Sequence, residues 1–155
     1  MVVENKNSAH YNLALNEKGY LFLPEKDSRD VFLHTKGDNA KLGLRDRDFI
    51  MDEEIDRIQA KYPNLRILHY YAVENYVYHP DNIAELEPSG FDKLEYSKEI
   101  TNQKNQKLLK IVSGIESARQ TYSDLKEPNV KNKNIDPIIS ALESNDFEIF
   151  ILILI

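Results

Sequence analysis

The sequence predicts an α/β protein, a mostly parallel sheet flanked by helices with an α-rich C-terminal appendage. Three observations carry that expectation. Short apolar or β-branched runs alternate with helical stretches over the first half of the chain, the pattern of βαβ units. The run "LGL" at 42–44 is continuously apolar, as strands are when both faces of a parallel sheet are covered. After Pro80 the character changes to polar helical sequence, ending in the apolar run "FEIFILILI".

"MVVE" reads as a buried strand ending at Glu4. Asn7 or Ser8 caps a helix over Ala9 to Lys18, and Gly19 ends it in the C′ position that favours glycine. "YLFLP" is a second strand closed by Pro24. A short helix over Ser28 to Thr35 and a turn at "KGDN" lead to a third strand, "AKLGLRD". "DEEIDRIQAKY" places acids in its first turn, where they suit the helix dipole, and Pro63 stops it. "LRILHYYAV" is then a fourth strand ending at Glu74. Pro80 opens a short helix, "YSKEITNQKNQKLLKIVSGIESARQTY" forms a long one, and "KEPNVKNKN" is a linker. A last helix, "IDPIISALESN", feeds a closing strand at "FEIFILILI". The expected division is residues 1–87 as the α/β core and 88–155 as a helical appendage with that strand, within the same domain or beside it.

Composition narrows the function. A chain of 155 residues suits one domain with a proper core. With no cysteine it has no disulfide, thiolate zinc site or cysteine nucleophile, which fits a reducing cytoplasm. "MVVENKNSAH" lacks the pattern of a signal peptide, and the nine-residue "FEIFILILI" is far short of the ~20 residues a membrane helix needs. No membrane association is expected. The bare "MVVE" start and apolar finish read as the edges of a larger protein. A net charge of −6 opposes broad attraction to nucleic acid, but carboxylate metal sites carry local negative charge that a bound cation reverses.

The chemistry-bearing residues sit where the predicted strands end. Asp46 and Asp48 follow the third strand in "RDRD", Glu4 ends the first, and Glu74 ends the fourth. In open α/β sheets, ligands bind in the crevice beyond the strand carboxyl ends. Converging carboxylates suit Mg²⁺ or Mn²⁺, which take hard oxygen ligands. The other reading of "RDRD" is a solvated loop whose acids pair with Arg45 and Arg47. For Glu74 the alternatives are a ligand or base, with Asn75 holding a phosphate or the backbone, and a helix cap among packing tyrosines. The four histidines show no HxH or HExxH spacing and read as structural, and no Walker or GxSxG motif is present.

The blocks "LGLRDRDF" and "ILHYYAVENYVYHPDNI" resemble the DxD and "ENYL-x-x-P" blocks of Toprim-like domains. The similarity is to a bacterial group related to the OLD (overcoming lysogenization defect) nucleases, and it spans about residues 1–87. The family's first-strand glutamate corresponds to Glu4, although Asn5 follows it where glycine is usual and Ser8 stands at an aspartate position. The resemblance implies a divalent-metal-dependent nuclease of DNA or RNA acting in anti-phage defence with an ABC-type ATPase, whether separate or fused. It makes Asp46 and Asp48 the main metal ligands, Glu4 a ligand or general base, and Glu74 a secondary ligand or an organiser of the site. Lys36 is the residue expected to stabilise transition-state charge. The alternative is a Toprim-fold binding or regulatory module without catalysis. Homo-oligomerisation is left open.

Overall fold

The computed structural model describes residues 1–120 and 135–153; the expected linker at 126–134 and the last two residues of "FEIFILILI" lie outside them. Two compact units are present, and their described parts are Met1–Leu68 and His69 onward.

The first unit is α/β. Strands β1 (Val2–Glu4), β2 (Leu23–Glu25), β3 (Gly43–Arg45) and β4 (Leu65–Ile67) form one sheet in the order β2-β1-β3-β4, parallel at every pairing. Helices α1 (Asn5–Leu15), α2 (Ser28–Gly37) and α3 (Asp52–Lys61) connect consecutive strands. Val2, Val3, Phe22, Val31, Phe32, Ile58 and Leu65 are buried between sheet and helices.

Local chemistry sets the boundaries. α1 begins directly after β1, earlier than the expected Ala9, and a short 3-10 turn over Asn16–Lys18 precedes Gly19 at φ 72°. Asn7 therefore does not cap the helix; it is a first-turn residue whose side chain reaches elsewhere. β2 starts later than "YLFLP" suggests because Asn12 clamps Phe22 on both sides. Its Oδ1 accepts from the Phe22 amide at 2.8 Å and its Nδ2 donates to the Phe22 carbonyl at 2.8 Å. Pro24 then lies inside β2, which is tolerated because β2 is an edge strand. Asp27 caps α2 by accepting from the Asp30 amide. α2 comes very close to β3, and Gly43 makes room: a Cβ there would stand 2.2 Å from Thr35 Oγ1. Asn64 fastens the return from α2 by donating to the carbonyls of Thr35 and Lys41, both at 2.9 Å.

The fourth strand ends at Ile67, well short of Glu74. Strand pairing needs free backbone amides, and here they are taken. Tyr76 Oη accepts from the amides of His69 at 2.9 Å and Tyr70 at 3.3 Å, and Asn75 Oδ1 accepts from the Ala72 amide. The Asn75 contact caps α4 (Val73–Val77), so Glu74 is a helical residue.

The second unit is helical: α4, α5 (Pro80–Glu85), α6 (Lys93–Gln120), α7 (Asp136–Glu143) and α8 (Phe147–Phe150). Its core includes Ile115, Ile138, Leu142, Phe150 and Ile151. The expected closing strand is absent: the described part of "FEIFILILI" is α8 followed by a turn. An apolar run of this length suits a buried helix as well as a strand. Asp146 decides for the helix, its side chain accepting from the Glu148 amide. Lys104 on α6 is 4% exposed and donates to the Leu142 and Ser144 carbonyls at the end of α7, with its ammonium 4.6 Å from the Phe150 ring centroid. Asn75 is fully buried and donates to the Ile151 carbonyl at 2.9 Å. Of its two anticipated roles, holding the backbone is the one seen. No helix among the described residues is long and apolar enough to cross a membrane.

Candidate functional site

The strand order creates the site. β1 and β3 are neighbours, but the chain leaves β1 towards β2 on one flank and leaves β3 towards β4 on the other. Diverging connections open a crevice at the carboxyl ends of such a pair, where ligands bind in doubly wound sheets. Glu4 is the last residue of β1, and Asp46 and Asp48 follow the last residue of β3.

Residues 45 to 48 alternate between buried and half-buried. Arg45 and Arg47 are 1% and 5% exposed, so "RDRD" is not a solvated loop. The arginines turn inward and the aspartates towards the crevice. Arg47 donates to the Ile50 carbonyl at 2.8 Å and pairs with Asp52 at 2.9 Å, which anchors the turn into α3. Arg45 Nη2 meets Asp48 Oδ2 at 2.8 Å. Asn7 Nδ2 donates to both oxygens of Asp46, at 3.2 and 3.3 Å. Asp48 has φ 52°, in the left-handed region, where aspartate is better tolerated than most residues but still strained.

The three carboxylates feel one another. Glu4 is pushed up to about 7, first by burial and then by the charges of Asp46 and Asp48; Arg45 and the Asp46 backbone amide pull the other way. Glu4 Oε1 is buried with no hydrogen-bond partner among the described residues. A buried, partnerless carboxylate oxygen facing two more acids fits a hard divalent cation, which would satisfy the oxygen and relieve the repulsion. Glu4, Asp46 and Asp48 interact through their charges, but their oxygens are not drawn into a set within 4.8 Å of one another.

One expected member, Lys36, does not join this cluster, and another, Glu74, belongs to the other unit. Lys36 is exposed near the end of α2, with its ammonium 5.8 Å from the Phe32 ring centroid. α2 runs back along the sheet, so its C-terminal end lies beside Gly43, where β3 begins, whereas the aspartates follow where β3 ends. Glu74 is exposed on α4 and belongs to the second unit. The pairing of Arg45 with one of the two aspartates is part of the other reading of "RDRD" and is seen, whereas the sequence gives no sign of Asn7 as the group that orients Asp46. A second cluster, His79, Asp81 and Glu148, lies in the helical unit and draws on residues far apart in the chain.

Comparisons with protein-family models, with curated proteins and with solved structures return no match to this chain.

Proposed function

We propose that the first unit is a Toprim-like domain and that Glu4, Asp46 and Asp48 bind Mg²⁺ or Mn²⁺ for phosphodiester hydrolysis of DNA or RNA. The observation that carries this reading is the placing of three acids at the carboxyl ends of the adjacent strands β1 and β3, close enough in charge that Glu4 is pushed up to about 7. A divalent ion bound there supplies Lewis-acid stabilisation of phosphate charge and a more acidic water. Asp46, held by Asn7, and Asp48, held by Arg45, present oxygens from fixed directions. Glu4 is either a third ligand or, left off the ion, the general base that takes a proton from an attacking water. Action in anti-phage defence beside an ABC-type ATPase belongs to the same proposal and rests on the sequence resemblance alone.

The test is cleavage of plasmid DNA and of tRNA with Mg²⁺ or Mn²⁺, with and without an ABC-type ATPase of the OLD-related group. Activity should fall by at least about a hundredfold in Asp46→Asn and in Asp48→Asn. A pure protein that cuts neither substrate under any of these conditions would sink the reading. A second reading, a binding module without catalysis, is favoured by the internal partners Asn7 and Arg45, which already occupy part of each aspartate. It predicts no heat of Mg²⁺ or Mn²⁺ binding that depends on Asp46.

A further inference from the structure

The helical unit carries a different donor set. One ring nitrogen of His79 and one oxygen each of Asp81 and Glu148 lie within 4.8 Å of one another. His79 precedes the first residue of α5, Asp81 is in the first turn of that helix, and Glu148 lies on α8. His79 is 7% exposed, and its Nε2 is buried with no hydrogen-bond partner among the described residues. That nitrogen points at Glu148, with Oε2 3.6 Å away. The distance is too long for a hydrogen bond. It is close to the ~3.4 Å separating two ligand atoms that each stand about 2.1 Å from a tetrahedral ion. Asp81 keeps Lys93 on Oδ1 and turns Oδ2 towards the imidazole, 3.7 Å from Nδ1. Tyr70 stacks on the His79 ring and Phe147 meets it edge-on, fixing its plane.

We propose that His79, Asp81 and Glu148 form a binding site for a divalent transition metal of the Zn²⁺ class, distinct from the carboxylate crevice of the first unit. Imidazole ligation selects zinc and its neighbours over Mg²⁺ and Ca²⁺, which prefer oxygen alone. Ligation through Nε2 requires the ring proton to move to Nδ1, which gives up the 3.3 Å contact from the Asp81 amide and sets two N–H groups facing each other. Three protein ligands leave a position for water. The ion would tie the start of α5 to α8, two elements more than sixty residues apart in sequence.

The proposal stands apart from the nuclease reading, and the experiment keeps them separate. The metal-stripped Asp46→Asn/Asp48→Asn protein is titrated with Zn²⁺ by calorimetry and with Co²⁺ by visible absorption. About one equivalent should bind, Co²⁺ should develop ligand-field bands, and excess Mg²⁺ should displace neither. Adding Glu148→Gln, an exposed and isosteric change, should weaken Zn²⁺ by at least about tenfold with the far-ultraviolet dichroism unchanged. Undiminished binding in the triple variant, no binding in the double variant, or displacement by Mg²⁺ would each overturn the proposal. No binding would leave His79 as a buried imidazole between two acids.

Discussion

Glu4 shows how a single side chain reports on its site. Its carboxyl stands at about 7 in the fold and near 4.5 when unfolded, mainly because burial and two neighbouring acids disfavour the charge. Between those values the native state holds a proton that the unfolded chain has released. Stability without metal therefore falls as pH rises from about 4.5 to about 7, and the penalty is fully present above that window. Glu4→Gln should flatten this part of the stability–pH curve and make the metal-free protein more stable than wild type at pH 8, measured by urea melts in chelator. An unchanged curve would mean that Glu4 is not buried against the aspartates. The aspartate pair and Glu4 were readable from the sequence because each follows a short apolar strand. Arg45, three residues from Asp48, was readable as a partner too; Asn7 was not, lying thirty-nine residues from Asp46 with nothing local to mark it. Glu74 was misplaced for a similar reason, since Tyr76 and Asn75 divert the backbone amides before the strand can reach it.

At the scale of elements, the close approach of α2 to β3 depends on Gly43. An alanine Cβ would strike Thr35 Oγ1, which is buried and donates to the Val31 carbonyl at 2.6 Å. Gly43→Ala should cost about 1–3 kcal/mol, read as a lower urea midpoint with little change in slope. Because Arg45 and the aspartates follow directly, the same variant should also weaken Mg²⁺ binding. Strands and helices of the first unit were legible because parallel βα units write themselves as apolar runs separated by caps and prolines. "FEIFILILI" was not, because an apolar run has no period that separates strand from helix. The deciding signal was one residue upstream, in the Asp146 cap. The long polar helix α6 was legible as a helix, whereas the burial of Lys104 against two carbonyls was not.

For the whole molecule, the net charge of −6 and a crevice of three acids oppose contact with a polyanion, an opposition that the proposed cation would reduce. Mg²⁺ at about a hundred times its dissociation constant should add about 2.7 kcal/mol to the stability of the first unit. Chelator should remove that gain and Asp46→Asn should abolish it, as followed by thermal melting. A gain that survives Asp46→Asn would place the ion elsewhere. The sheet itself also limits what the molecule can do with copies of itself. β2 is an edge strand of three residues, and its central position is Pro24, which has no N–H. The Leu23 amide is already given to the Met1 carbonyl, on the side facing β1. By strand alternation, the donor missing at Pro24 is the one that would face outward. An incoming strand would find the single carbonyl of Pro24 there and no matching hydrogen, so this flank of the described sheet resists runaway strand-to-strand polymerisation.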